Sequence, residues 1–516
     1  MHLTILLFLP LAGAVLSLVA GRIGALLAAT LTLAYAIVAL VEFQTGAAGL
    51  QFVTSEPWIG ELGITYKLGL DGLNLFLVLL TAVLWVATTL WASIATSGQP
   101  AQRPGLFFFH LGLAETAVLG ALLAQDLALF VLFFDLMLVP FLFLTLGWGG
   151  ERRVSAISKL IIYTLIGSLL MLSAAVATGV LTAERSGAQL TFEITELARV
   201  RLGDGDQQWI FLCFAAAFLV KMPLFPLHGW MPDGYRTMPL PVLALFSAVL
   251  SKVAAYGFLR VVLPLFPDAT VDFQELMLLI ALASILYGSA IAFTTTEARL
   301  VLGYSSMAQL GFIVLGIFAL RDQGAQGAVL QAVNHGLVVA PAFFVVAMLA
   351  QRAGGSEDIR QMGGVALRAP LLAAVFLIVA FATLAMPGSS NFVGEFLILL
   401  GLFQSKIVFA FVASAGIVMA SVYALRLFIR TMHNRGAAGV ASYDLRVADG
   451  LVVVPLIVVI VALALYPQLA LRRSESSVRA AVGPARQLDA DPARGLERAD
   501  APGNLAAPTL GLKERP

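Results

Sequence analysis

The sequence predicts an all-α membrane protein of about fourteen transmembrane helices, with two inverted five-helix repeats that each contain one broken helix. Three observations carry that expectation. Of the 516 residues, 60% are hydrophobic and 12% charged, with a mean hydropathy of +0.94; an average soluble protein has roughly 25% charged residues. Apolar runs of about 20 residues, the length that spans a bilayer, recur along the whole chain. Two of those runs are interrupted at matching places.

The candidate spans are 3–20, 24–41, 73–95, 106–125, 127–147, 158–182, 209–235, 240–263, 274–294, 299–319, 326–350, 370–404, 406–430 and 449–469. The first lacks a basic leading region and a clear cleavage site, and another span follows at once, so it reads as a span and not as a secretory signal. The spans group into an N-terminal three-helix segment (1–95), a first five-helix repeat (106–263), a second, inverted repeat (274–430) and a last helix (449–469). Residues 473–516, rich in Arg, Asp, Ala, Pro and Gly without helical periodicity, read as a disordered tail.

Basic residues set the orientation. One set of alternate loops holds thirteen: Arg22, Arg103, Arg152, Arg153, Lys159, Arg236, Arg299, Arg352, Arg360, Arg368, Arg430, Arg435 and Arg446. The other holds six: Lys67, Arg185, Arg199, Arg201, Arg321 and Lys406. That bias puts the first set in the cytoplasm and both termini outside. The polar loop 183–207, with Glu193/Glu196 and Asp204/Asp206, has no histidine to complete a metal site and reads as a solvated cap.

The breaks come next. In 209–235 the run Lys221-Met222-Pro223-Leu224-Phe225-Pro226 removes two backbone donors and interrupts the helix, and in 370–404 Pro387-Gly388-Ser389-Ser390-Asn391 does the same. Each falls in the fourth helix of its five-helix group. Five is odd, so the second group enters the membrane from the opposite side, the inverted-repeat arrangement of transporters. Broken helices at membrane depth are tolerated where they are buried or line a wet cavity.

The intramembrane charges collect near the breaks. Only six lysines occur, and Lys221 and Lys252 lie inside spans, as do the acids Glu115, Asp135 and Glu395. An isolated ion at the bilayer centre is costly, so these groups should face one another or water. Purely structural pairing is the weaker reading, because apolar packing meets a structural need more cheaply. Lys221 ends a half-helix, where free carbonyls favour a cation; Glu395 is expected in the first turn after its break, where free amides favour an anion. Asp135 is the natural counter-ion for Lys221. His228 and His335 are candidate proton relays near neutral pH, although a lone buried histidine is commonly a core residue; His110 is weaker as a candidate. The aromatic run Phe107-Phe108-Phe109 is expected to face lipid, and Cys213 to be plain packing.

Other function classes fall away. The formal net charge of +1 gives no electrostatic case for nucleic acid. One cysteine excludes an internal disulfide and any cysteine-ligated zinc or iron–sulfur cluster. No GxGxxG or phosphate-loop motif is present. No cofactor is expected in this chain.

The ordered motifs Gly69-Leu70-Asp71-Gly72-Leu73-Asn74, Phe133-Phe134-Asp135-Leu136-Met137-Leu138-Val139-Pro140, Val220-Lys221-Met222-Pro223, His228-Gly229-Trp230-Met231-Pro232-Asp233, Ser251-Lys252, Gly303-Tyr304-Ser305-Ser306, Asn334-His335-Gly336-Leu337 and Asn391-Phe392-Val393-Gly394-Glu395-Phe396 resemble those of the antiporter-like subunits of respiratory complex I. The resemblance covers about residues 65–468 and is strongest to the M-type subunits, which carry glutamate where the L- and N-type subunits usually carry lysine. It implies that Lys221 is the central channel lysine, Asp135 its paired acid, Lys252 the connecting lysine and Glu395 the outlet acid. It further implies a non-redox, proton-translocating subunit of the bacterial inner membrane, with L- and N-type neighbours on either side and flavin and iron–sulfur clusters in partner subunits. Two departures stand out: the paired acid is usually glutamate, and the tenth span begins with Glu297 and Arg299 where many members are more basic. A subunit of a stand-alone cation/proton antiporter or of a membrane-bound hydrogenase is the alternative.

Overall fold

The computed structural model describes residues 2–47, 49–94, 102–434, 440–441 and 443–490. Helix occupies every segment that the sequence marks as a span. In chain order these are α1 (Leu3–Ala20), α2 (Arg22–Glu42), α3 (Leu75–Ile94), α4 (Pro104–Leu123), α5 (Leu127–Leu136), α6 (Leu138–Trp148), α7 (Arg153–Ser186), α8 (Asp204–Lys221), α9 (Met231–Thr237), α10 (Leu240–Leu265), α11 (Gln274–Thr294), α12 (Ala298–Phe318), α13 (Asp322–Arg352), α14 (Pro370–Thr383), α15 (Ser390–Ser405), α16 (Ile407–Met432) and α17 (Val447–Leu465). Counting α5 and α6 as one crossing, twelve helices among the described residues are long and apolar enough to span a membrane. The remaining two predicted spans are the interrupted pairs α8–α9 and α14–α15.

Burial sorts these helices into a core and a rim. The apolar stretches of α10, α12 and α13 are wholly enclosed, whereas α1, α2, α7, α16 and α17 leave rows of large apolar side chains such as Ile162, Leu165, Ile166 and Leu169 exposed. In lipid such a face costs nothing, since the solvent is as apolar as the side chains. Glycine lets the core backbones close up. A Cβ on Gly327 of α13 would lie 2.7 Å from the Ile398 amide nitrogen of α15, and one on Gly394 would lie 2.5 Å from Gln331 Oε1. This close approach brings Gln331 and Glu395 together.

Several ion pairs among the described residues join loops of the same predicted set. On one side are Lys159–Asp233 (2.9 Å), Arg236–Glu297 (2.9 Å) and Arg299–Glu357. On the other are Lys67–Glu193 (2.5 Å), Lys406–Glu275 (2.9 Å), Arg201–Asp268 and the buried pair Arg260–Asp71. Arg435 lies outside the described residues.

Three features go beyond the sequence reading. A hairpin of β1 (Gln51–Ile59) and β2 (Ile64–Leu70) precedes α3, turning at Gly63, whose φ of +66° and 2.0 Å Cβ approach to the Leu190 carbonyl admit only glycine. The loop 183–207 packs against this hairpin through the Lys67–Glu193 pair and includes a short helix, Ile194–Leu197. The second feature is an interruption of the fifth span at Met137: Pro140 has no N–H to give the Leu136 carbonyl, so α5 stops beside Asp135.

The third corrects the tail. Residues 473–489, expected to be disordered, belong to helix α18 (Gln468–Asp489). Its buried face, Leu471, Ser474, Val478, Ala481 and Ala485, recurs at helical spacing but consists mainly of small, weakly apolar residues, which hid the periodicity. The helix is fastened by Arg321–Asp489 (2.9 Å), Arg486–Asp322 (2.6 Å), the Gly72 amide to Ser477 Oγ (3.0 Å) and Gln326 Nε2 to the Leu471 carbonyl (3.0 Å). Residues 491–516 lie outside the described residues. A second correction concerns Phe107 and Phe108, which are buried and not lipid-facing; they stack edge-to-face on each other, and Phe107 on Trp148.

Candidate proton-transfer site

Lys221 is the last residue of α8, where the helix ends because Pro223 and Pro226 follow. Its Nζ lies 3.8 Å from Asp135 Oδ1, donates to the Phe134 carbonyl at 3.1 Å and sits 4.7 Å from the Phe134 ring centroid. The side chain is buried, at 5% exposure, while that of Asp135 is 34% exposed. Asp135 Oδ1 also accepts from Ser168 Oγ of α7 at 2.5 Å. The predicted pair is therefore formed, across two adjacent helix ends. Trp230 Nε1 donates to the Val220 carbonyl at 3.0 Å, satisfying one of the backbone groups that the break frees.

Lys252 lies in the enclosed helix α10, between two π-helical turns, Phe246–Leu250 and Phe258–Val262. Such turns are a frequent mark of functional positions. The Ser247 carbonyl, in the first of these turns, accepts from Lys252 Nζ at 2.8 Å and from Ser251 Oγ at 3.3 Å. Among the described residues no carboxylate lies within 4.0 Å of that ammonium, so Lys252 can gain or lose a proton without breaking an ion pair. The same turn meets α13: a Cβ on Gly336, next to His335, would lie 2.8 Å from the Ala248 carbonyl. His335 is buried and its Nδ1 has no protein partner.

From here polar side chains continue through the core. Ser247 Oγ is 3.5 Å from Ser306 Oγ of α12. One turn on, Gln309 Oε1 accepts from Gln331 Nε2 at 2.7 Å, and the same Gln331 nitrogen is 3.4 Å from Glu395 Oε1. Asn334 Nδ2 donates to the Ser390 carbonyl at 2.6 Å, and neither amide atom of Asn391 has a protein partner. Buried polar atoms of this kind are satisfied by ordered water in native proteins. Sequence reading missed Ser168, Ser247, Gln309 and Gln331, and gave Ser306 no role beyond its motif. The signal was there, in polar residues spaced three or four apart on α12 and α13, but neutral side chains are easily taken for packing.

Glu395 is buried as expected, but its position corrects the dipole argument. α15 begins at Ser390, so Glu395 is its sixth residue and lies in the second turn, and the dipole effect falls off within the first. Its polar partner is the Gln331 amide. The break itself starts earlier than the Pro-Gly pair: α14 ends at Thr383, and Ala385 takes φ +52°.

Two other candidates lie apart from this track. Glu115 is buried on α4 against α1 and α3, beside a cavity of about 10 Å³ that Pro10, Gly13, Trp85 and Thr89 also line; its Oε1 has no protein partner. His228 sits in the first break, its ring centroid 5.0 Å from that of Tyr287 and 5.9 Å from that of Phe225, with Nδ1 unpartnered. His110 Nδ1 meets the Leu106 carbonyl of its own helix at 2.8 Å. Among the described residues no group of three or more His, Cys, Asp or Glu could hold a metal ion.

Sequence and structure comparisons converge on this region. Residues 124–421, which include Asp135, both lysines, His335 and Glu395, match the profile of the NADH:quinone oxidoreductase/Mrp antiporter transmembrane family. The chain belongs to that family. It is 36% identical to the NADH-quinone oxidoreductase subunit M of Escherichia coli (strain K12), covering 84% of this chain and 86% of that protein. It superposes with a TM-score of 0.85 and 30% identity on a chain of respiratory complex I from Thermus thermophilus with bound NADH, covering 93% of this chain and 99% of that one. A chain of the Mrp complex from Dietzia sp. DQ12-45-1b shares the fold, with a TM-score of 0.81 at 21% identity over 95% of this chain and 99% of that one.

In a member of this family Glu395 offers a test of charge against shape. Glu395→Gln keeps the volume and the hydrogen bond to Gln331 but cannot ionise, so proton pumping should fall at least fivefold. Glu395→Asp should retain more function than Gln. A Gln variant that pumps like wild type alongside an inactive Asp variant would make the residue structural.

Proposed function

We propose that this chain is the M-type, proton-translocating membrane subunit of a bacterial NADH-quinone oxidoreductase. Electrons pass from NADH to quinone in other subunits, which hold the flavin and iron–sulfur clusters. The chain itself moves protons along Asp135, Lys221, Lys252, His335 and Glu395, with His228 on the approach from the cytoplasmic side. The observation that carries this reading is the Lys221–Asp135 pair at an interrupted helix, in a core that also buries Lys252 with Ser247 and the Gln309–Gln331–Glu395 group. Glu115 stands apart from these residues and belongs to a separate N-terminal proton-binding position.

The chemistry follows from the contacts. Lys221 donates to a backbone carbonyl and has a carboxylate at ion-pair distance. When Asp135 is neutralised or turns toward Ser168, the ammonium loses its counter-ion and the proton is driven inward, toward Lys252. Lys252, held only by the Ser247 carbonyl, passes it on by way of the serine and glutamine side chains and His335. Glu395 receives it on the side of the second break. The two broken helices then occupy equivalent places in two inverted five-helix repeats, and fourteen crossings put both termini outside the cell.

Asp135 also supports the presence of neighbours. A carboxylate with a third of its side chain uncovered is costly against lipid, so an adjoining subunit covers the α5–α7 face, and L- and N-type subunits on either side meet that need. The higher identity to the complex I chain, 30% against 21% for the Mrp chain, favours the oxidoreductase over a stand-alone antiporter. The test is purification of the chromosomally tagged chain from native membranes. NADH-oxidising and quinone-reducing activity should co-purify with it, and reconstituted vesicles should acidify or alkalinise on NADH addition. Co-purification with antiporter-type subunits alone, without NADH oxidation, would overturn the assignment.

A further inference from the structure

Between α3, α13 and α17 lies an apolar cavity of about 270 Å³, lined by residues that include Leu80, Val333, Leu337, Val459, Ala462 and Tyr466. We propose that it is a binding site for one acyl chain of an anionic phospholipid in the leaflet on the α18 side of the membrane. The proposal is independent of the direction in which protons move.

Depth and shape point to an acyl chain. Val333 is eleven residues into α13, about 16 Å from its start at 1.5 Å per residue, and half of a bilayer's hydrocarbon core is about 15 Å. The cavity therefore runs from the membrane surface, at Tyr466 and Leu469, to near the midplane, at Val333 and Leu337. Its walls offer a ligand only hydrocarbon and aromatic surface along that length. A helix of a neighbouring subunit, about 10 Å across with its side chains, does not enter a space of this volume, whereas a single hydrocarbon chain does.

The rim supplies the headgroup chemistry. Tyr466, 54% exposed, brings an amphipathic ring to the mouth, the usual station of tyrosine at the lipid–water interface. One turn past Leu469, Arg473 donates Nη1 to the Leu469 carbonyl at 3.1 Å, which holds its guanidinium beside a residue that lines the slot. A guanidinium in that place fits a phosphate. Arg473 is held there by backbone contact: a Cβ on Gly72 would lie 2.2 Å from the Arg473 carbonyl, so α18 cannot lift away from the start of α3 without losing this packing. At the inner end, Val333 and Leu337 flank His335, and Pro341 leaves the Leu337 carbonyl without its helical donor. A chain filling the slot thus packs behind the segment that carries His335.

The test uses the purified intact complex with phosphatidylglycerol bearing a diazirine near the end of one acyl chain, and the matching phosphatidylcholine. Photolabel should concentrate on peptides containing Val333–Leu337 and Val459–Ala462. Phosphatidylglycerol should label these at least threefold more than phosphatidylcholine, and Arg473→Gln should abolish that preference. Ala462→Trp, which fills the slot, should cut the labelling at least fivefold; if that variant fails to assemble, the wild-type label map decides. Label spread evenly over lipid-facing helices such as α7, equal labelling by the two lipids, or a crosslink from Ala462→Cys to a neighbouring subunit would each overturn the proposal.

Discussion

Lys221→Ala should lower proton pumping at least tenfold per NADH oxidised while leaving the complex assembled. Assembly survives because the partner keeps a hydrogen bond: Asp135 Oδ1 still accepts from Ser168 Oγ at 2.5 Å. Pumping fails because the ammonium beside Asp135 is gone. Lys221→Arg separates a proton-transfer role from a structural one. Arginine restores the positive charge and the ion pair, but its guanidinium does not deprotonate in proteins. If the pair only holds helices together, Arg should rescue; if Lys221 passes its proton on, Arg should be as inactive as Ala. Membrane vesicles of the Arg variant that build a wild-type gradient on NADH would sink the channel assignment.

The helices were legible in the sequence because a bilayer imposes a length and a composition on each of them, and the breaks because proline removes donors wherever it stands. Lys221 and Asp135 were legible for a related reason: a charge inside an apolar run is rare enough to be read singly. What escaped had no such contrast. Gln309 and Gln331 are neutral, and their pairing depends on Gly327 and Gly394 letting α13 and α15 approach, a three-dimensional fact. The π turns around Lys252 have no sequence mark, since Phe246–Leu250 reads as ordinary helix. Helix α18 was missed because its buried face is built of alanine, serine and valine. Glu395 was read correctly as buried, yet one turn too close to its helix terminus, because the break was taken to run through Asn391 and α15 already begins at Ser390.

The geometry around Asp135 allows an ordered series. At 3.8 Å the pair is beyond hydrogen-bond length, and Lys221 spends its direct bond on the Phe134 carbonyl. At an effective dielectric near 20, unit charges about 4 Å apart attract by about 4 kcal/mol; in water the figure is about 1. Lys221 is buried and keeps the pair out of bulk water, so its attraction exceeds the figure in water. Asp135→Glu adds about 1.5 Å of reach, one carbon–carbon bond, enough to close the gap to a direct charge-assisted bond. That variant should assemble normally and keep at least half of wild-type pumping. Asp135→Ala should be severe, at least tenfold down in pumping and poorer in assembly, because it leaves a buried ammonium with one neutral acceptor. Asp135→Asn keeps the shape and the bond to Ser168 but no charge, so it should pump as poorly as Ala while assembling better. Ser168→Ala is the control on the other side of the carboxylate: it frees Asp135 to turn fully toward Lys221 and should change the pumping rate less than any of the three. NADH-driven quenching of a pH-sensitive dye in vesicles, normalised to NADH oxidation by an uncoupled sample, ranks all four. An Asn variant that pumps like wild type would remove Asp135 from the proton path, whatever its distance from Lys221.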